Sequence, residues 1–372
     1  MKRVAALILI ILFIASAYLM YLYFSKTRVE ETKNAANSMK KPLNDTQTAV
    51  NTTNYSSSSR ENKTEETSEA ENTTSYKVGV NKTAENVPSN FNKSIGVTGQ
   101  GYPRIACYYL TDINLSKIEN RSFAVLVLEF EEGLNAENLK KLKELNGLVL
   151  AYINLGYAEA WRDYWPKIRG KSWVHGQTEY EDEYYVEYWR EEWHKIILEK
   201  VAEAYRLGFD GVYFDNVDAC TVLEEEKPKW ARGLNLTNLM IKSISNLSAI
   251  IKERYGASFK VYVNIGSALR LLGDSRFLQA IDGVLREEVW YTVKGSKSVE
   301  MPAEEKELAL KYLINAREAN KTVIVADFVD SAERAGEFCR LCWSLGFIPV
   351  PQPVWAADYS QPPPEDWCAS GK

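Results

Sequence analysis

The sequence predicts an α/β protein whose body is a (β/α)8 TIM barrel, preceded by an apolar N-terminal anchor helix and a disordered linker. Three observations carry that expectation. From about residue 101 onward, eight short β-rich apolar runs alternate with stretches of helical period. The runs are apolar on both faces, as strands of a parallel sheet under a layer of helices are. The repeat also occupies roughly 270 residues, near the size of one such barrel. Neither a G-x-G-x-x-G after the first run nor a G-x-x-x-x-G-K-[ST] is present, which disfavours an open nucleotide-binding sheet.

Residues 1–25 form the first segment. Lys2 and Arg3 precede an uncharged run over 4–24, whose twenty-one residues span roughly 30 Å as a helix, the thickness of a hydrocarbon core. A cleavable signal peptide could use Ala15-Ser16-Ala17 as its small-residue site. The apolar run continues past that point and ends rich in tyrosine, as membrane interfaces are, which favours an uncleaved anchor. Lys26, Arg28, Lys33, Lys40 and Lys41 would by charge count place the following chain in the cytoplasm. The linker, residues 26–100, argues the reverse. It carries N-x-S/T sites at Asn44, Asn51, Asn54, Asn62, Asn72, Asn81 and Asn92, and such acceptors have a use outside the membrane. About half of residues 44–94 are Asn, Ser or Thr, too polar to bury a core. The expectation is a disordered tether holding the body at the cell surface, or a secreted body if the leader is cut.

Residues 101–372 form the barrel. Its strands are expected at 105–110, 123–130, 148–155, 209–215, 260–265, 281–287, 322–328 and 347–350. Helices are expected at 136–145, 190–207, 236–255, 304–319 and 332–345, with Gly208 and Gly346 at C-cap positions just before strands.

Composition narrows the chemistry. The 45 Lys and Arg against 50 Asp and Glu give a net charge of −5, with no basic excess for nucleic acid. His175 and His194 are the chain's two histidines, too few for a His-rich zinc site and better suited to structural roles. Cys107, Cys220, Cys339, Cys342 and Cys368 are too scattered for a disulfide framework, and the C-x-x-C at Cys339 lacks a second pair at zinc spacing. No metal or organic cofactor is expected, and carboxylates are left as the reactive groups.

Two strands end alike. The fourth reads Asp210-Gly211-Val212-Tyr213-Phe214-Asp215 and the sixth Asp282-Gly283-Val284-Leu285-Arg286-Glu287, both D-G-V-x-x-[D/E]. Asp215 and Glu287 therefore share pleat parity and height at the face where barrel enzymes collect their function. Strands two apart lie about 10 Å apart, and inward side chains shorten that gap towards the roughly 5–5.5 Å of retaining glycosidases. Asp215 is then the candidate nucleophile and Glu287 the candidate acid/base. Carboxylates at strand ends also commonly cap loop amides, which is the competing reading.

Tyr109, Tyr152 and Tyr213 on strands, with Glu129, Asn264 and Asp327 near strand ends, are candidate substrate-binding residues. Asp218 just past the fourth strand could hold a substrate amine or cap its loop. The third connection, 156–188, is long, acidic and aromatic, and adds Arg162 and Trp165 as candidates. Aromatic faces beside acids suit sugars, cationic ones included.

These residues resemble a known family. Leu207-Gly208-Phe209-Asp210-Gly211-Val212-Tyr213-Phe214-Asp215-Asn216-Val217-Asp218 is similar to the signature of glycoside hydrolase family 114, the endo-α-1,4-polygalactosaminidase-like barrels. So are the stretch from Tyr185 to Trp193, part of 156–165, and Asp282 to Glu287. The resemblance spans nearly all of 101–360. It implies a hydrolase acting on an α-linked, galactosamine-containing polysaccharide, with Asp215 as nucleophile and Glu287 as acid/base. Tyr157, Glu129 and Val263 depart from the family's usual residues and bear on substrate choice. The rival readings are a glycan-binding barrel without catalysis and a structural barrel of the cell envelope.

Overall fold

The computed structural model describes residues 105–368 apart from Asp112 and Glu132, so the expected anchor and linker lie outside the described residues. Among the described residues, no helix is long and apolar enough to cross a membrane.

Eight parallel strands form one sheet in chain order: Cys107–Tyr109, Val125–Leu128, Leu148–Asn154, Gly211–Asp215, Lys260–Asn264, Gly283–Glu287, Thr322–Val329 and Ile348–Pro353. The Ala106 N–H donates to the Pro349 carbonyl at 2.9 Å, joining the two outer strands into a barrel. All eight expected strands are present. Alternate side chains divide into two cores. Tyr108, Leu150, Tyr152, Tyr213, Tyr262 and Ile324 fill the lumen. Cys107, Tyr109, Val149, Val212, Val261 and Val325 face the helices.

The five expected helices are found within a residue or so of their predicted bounds, at Ala136–Leu145, Glu191–Leu207, Leu236–Tyr255, Ala303–Glu318 and Ala332–Ser344. Asn135, Asn235 and Ser331 cap three of them with side-chain oxygens. Gly208 ends the second at φ 106°, a left-handed conformation open to glycine at little cost. A further helix, Ala219–Glu226, follows the fourth strand directly.

The repeated D-G-V has a structural cause at its start. Asp210 accepts the Val149 N–H at 2.9 Å and pairs with Lys143 at 2.8 Å. Asp282 does the same one repeat on, accepting the Val261 N–H at 2.8 Å and pairing with Lys252. Each aspartate pins its strand to the preceding one. The glycines then allow close approach, since a Cβ at Gly211 would lie 2.3 Å from the Lys260 carbonyl and one at Gly283 would lie 2.2 Å from the Tyr262 ring.

The third connection has a fold of its own. Tyr157–Glu159, Glu183–Val186 and Val174–Gln177 pair as a three-stranded antiparallel sheet. A hairpin, Tyr291–Lys294 with Lys297–Glu300, follows the sixth strand. Cys339 pairs with Cys368, their Cα atoms 5.9 Å apart, and Cys342 remains a buried thiol.

Candidate active site

Pleat parity brings Asp215 and Glu287 to one place. Both cap lumen-facing rows, above Tyr213 and Leu285 respectively. Between them stands Asn264 of the fifth strand. Its Nδ2 donates to Asp215 Oδ1 at 3.0 Å and to Glu287 Oε2 at 3.3 Å, while its Oδ1 accepts the Gly266 N–H. The two carboxylate oxygens are therefore no more than about 6.3 Å apart, the combined length of those bonds. Each carboxylate also accepts one phenol: Tyr152 donates to Asp215 Oδ2 at 2.8 Å, and Tyr359 to Glu287 Oε1.

Neutral donors surround this pair, and among the described residues neither carboxylate has an ion-pair partner. Loss of hydration raises the pKa of both. For Asp215 burial is the main cause, opposed by bonds from the Asn216 backbone, Tyr152 and Asn264. For Glu287 burial comes first and the charge of Asp215 second, opposed by Tyr359 and Asn264. Burial likewise pushes the phenols of Tyr152, Tyr213 and Tyr359 up, so they stay protonated, and Tyr152 and Tyr359 remain donors. Both acids are half-buried residues with access to solvent. One can ionise while the other keeps a proton.

Beneath them is an aromatic floor. Tyr213 meets Tyr108 edge-on at 4.8 Å and stacks on Tyr152 at 6.4 Å. Tyr213 is 0% exposed, so it supports the site from below and is not reached by substrate, contrary to expectation. The hydroxyls of Tyr108 and Tyr213 have no hydrogen-bond partner among the described residues.

Other expected binding residues are engaged elsewhere. Glu129 and Arg162, each 6% exposed, form a two-pronged ion pair with bonds of 2.9 and 2.7 Å. Arg162 Nε also donates to Glu159 at 2.7 Å, which leaves this cluster saturated and closed to a ligand. Tyr109 stands on the helix-facing side of its strand, where its hydroxyl accepts the Asn114 N–H at 2.7 Å, and its neighbour Tyr108 holds the lumen position. Asp327 is buried on the outward parity too. Its oxygens accept the N–H groups of Val289, Trp290 and Tyr291, so it organises the turn after the sixth strand, and burial pushes it up to about 7. Trp165 packs on Tyr184, ring centres 4.4 Å apart. Asp218 accepts the N–H and hydroxyl of Ser267, tying the fourth connection to the fifth.

Of the expected site residues, then, the structure links Tyr152, Asp215, Asn264 and Glu287 in one hydrogen-bonded chain. Asn154 and Glu183 sit alongside: Asn154 lies opposite Asp215 in register and donates to Glu183 at 3.2 Å, fastening the small antiparallel sheet to the barrel mouth. Burial raises the Glu183 pKa. Tyr359 was not expected. It follows the last strand at φ 57°, with neither a helical nor a strand pattern to mark it. His175 stacks on Trp230 at 3.8 Å and His194 meets the Tyr188 carbonyl, so both histidines have structural contacts away from this cluster.

Comparison with known proteins agrees with the geometry. The family model described as Glycoside-hydrolase family GH114 matches residues 106–359. An uncharacterized protein of Methanocaldococcus jannaschii is 29% identical over 264 residues, 65% of this chain and 73% of that protein. One of Thermotoga maritima is 24% identical over 244 residues, 62% and 72% of the two chains. Among solved structures, the glycoside hydrolase domain of PelA from Pseudomonas aeruginosa matches with TM-score 0.55 at 16% identity, over 70% of this chain and 97% of that one. Aspergillus fumigatus Ega3, solved in complex with galactosamine, matches with TM-score 0.51 at 14% identity, over 69% and 95%. At such identities the structural matches speak for the fold.

Proposed function

The chain belongs to glycoside hydrolase family GH114 and is a glycoside hydrolase; from that premise we propose that it cleaves an α-linked, galactosamine-containing polysaccharide with retention of configuration. The observation that carries the mechanism is the single Asn264 amide shared by Asp215 and Glu287. It limits the separation of their nearer oxygens to about 6.3 Å. Inverting enzymes space their acids about 6.5–9.5 Å apart to seat a water, and retaining ones about 5–5.5 Å.

In the first step Asp215 attacks the anomeric carbon while Glu287 gives its proton to the leaving glycosidic oxygen. A glycosyl ester on Asp215 results. In the second, the Glu287 carboxylate takes a proton from a water that attacks the same carbon, the ester breaks, and both acids return to their starting states. The raised Glu287 pKa supports its role as the proton donor, and the Tyr152 and Asn264 bonds to Asp215 support the ionised nucleophile.

The substrate class rests on charge. Asp215, Asp218, Glu183 and Glu287 crowd the mouth, where a cationic amino sugar is favoured over an acidic one. Galactosamine is the sugar bound in the Ega3 structure. The proposed location is the cell surface, the apolar run over 4–24 serving as anchor. The dense N-x-S/T sites and the Cys339–Cys368 pair support an oxidising, extracytoplasmic setting.

Purified full-length chain is expected to release oligosaccharides from an α-1,4-linked galactosaminogalactan, the first product having the α-anomeric configuration by NMR. Asp215→Asn and Glu287→Gln should each lower kcat at least about 10³-fold with an unchanged circular dichroism spectrum. Full activity in both variants, or a β-configured first product, overturns the mechanism.

A further inference from the structure

We propose that Tyr359 is a positioning residue for the acid/base, holding the Glu287 carboxyl so that Oε2, on the side facing Asp215, is the oxygen that carries and delivers the proton. The inference rests on the roles given above to Asp215 and Glu287.

The geometry is specific. Glu287 has two hydrogen-bond partners, one on each oxygen: Tyr359 on Oε1 and Asn264, at 3.3 Å, on Oε2. Two donors on opposite oxygens fix the rotation of a carboxyl; one long bond does not. With Oε1 accepting from the phenol, it becomes the carbonyl-like oxygen of the protonated acid. Oε2 is left to hold the proton.

Tyr359 is itself held from several sides. Its N–H donates to the Ala356 carbonyl at 3.0 Å, and its carbonyl accepts the Leu110 N–H at 3.1 Å, continuing the edge of the first strand. Its ring packs against Tyr108 at 5.2 Å and Phe328 at 6.0 Å, and the residue is 9% exposed. A left-handed φ of 57° at a tyrosine is an uncommon conformation, and here it turns the ring from the last connection back over the lumen. The loop after the eighth strand thus supplies a hydroxyl to an acid on the sixth.

The charged and titratable groups around Glu287 are few. Asp215 faces it from the fourth strand, Tyr213 from below, Tyr180 from the turn between two strands of the antiparallel sheet, Arg286 adjoins it in the chain, and Glu288 lies near Tyr359. Tyr359 is the one that donates a hydrogen bond to Glu287. Removing its hydroxyl destabilises the carboxylate form, so the acid should hold its proton to higher pH.

The test is Tyr359→Phe in the full-length enzyme, which keeps the ring packing. The alkaline limb of kcat/KM reports the group that must be protonated, and it should move up by about one pH unit. kcat should fall about tenfold with KM little changed. In a Glu287→Gln background the same substitution should cost almost nothing further, because Tyr359 acts through that carboxyl. Site-specific 3-fluorotyrosine at 359, a stronger donor of the same shape, should move the limb down, and it serves if the phenylalanine variant fails to fold. An unmoved limb in both, or an equal loss in the Glu287→Gln background, overturns the inference. Either result with Glu287→Gln still inactive leaves the proposed mechanism standing, whereas an active Glu287→Gln removes both.

Discussion

Two groups of acids sit in the mouth of the same barrel, one buried and one half-buried, and they are held by different partners. In one, Glu129 and Glu159 share the guanidinium of Arg162. In the other, Asp215 and Glu287 share the neutral amide of Asn264. The first has a full positive charge at its centre, and its geometry is that of a clamp joining the second strand to the third connection. Arg162 serves Glu129, Glu159 and, at 3.5 Å, Glu131, and burial still pushes Glu159 up to about 7 against its pull. The second has hydrogen bonds but, among the described residues, no ion-pair partner, and burial raises both carboxyls. Breaking a compensated cluster leaves buried charge unpaired. An uncompensated one suits the proton transfer that the proposed mechanism needs.

The largest effect that would separate the two is on stability. Arg162→Met leaves Glu129 and Glu159 buried without a cation and should lower the unfolding free energy by about 3–5 kcal/mol at pH 7 in a denaturant melt. The loss should shrink near pH 4, where Glu159 carries a proton. An equal loss at both pH values would mean that packing, not charge, holds the clamp.

A smaller effect is expected inside the reactive pair. Tyr152→Phe removes a donor from Asp215, which the proposed mechanism needs ionised. Its pKa should rise, so the acidic limb of kcat/KM should move up by about one pH unit while the alkaline limb stays in place. Movement of the alkaline limb instead would exchange the roles assigned to the two acids.

The smallest effect is a gain. A carboxyl whose folded pKa is raised favours the fold below its unfolded pKa, and that contribution is lost as pH rises through the folded value. Asp215 is therefore a net cost at neutral pH. Asp215→Asn should melt slightly higher than the parent at pH 7, the difference fading as pH falls into the ordinary carboxylate range. A lower melting temperature at pH 7 would mean the ionised aspartate stabilises the fold, and the contrast with Glu129 would disappear.

Much of this was legible in the residues. Short apolar runs between helical periods can be buried only as a covered parallel sheet, and the D-G-V repeat marked both acid-bearing strands because glycine is needed at each, against the Lys260 backbone at Gly211 and the Tyr262 ring at Gly283. Which side of a strand faces the lumen was not legible where both sides are apolar. Tyr108 and Tyr109 are adjacent and chemically identical, and their assignment turns on a one-residue difference in parity. Asp327 was expected at the mouth for the same reason, and its outward parity gives it three backbone amides to hold.

The sequence by itself determined the barrel, its order of strands and the matched heights of Asp215 and Glu287, since periodicity and glycine placement are local properties of the chain. Only the tertiary structure decided which polar groups meet. Arg162 closes on Glu129 from 33 residues away and Tyr359 reaches Glu287 from 72, contacts that closure of the sheet brings about and that no spacing encodes.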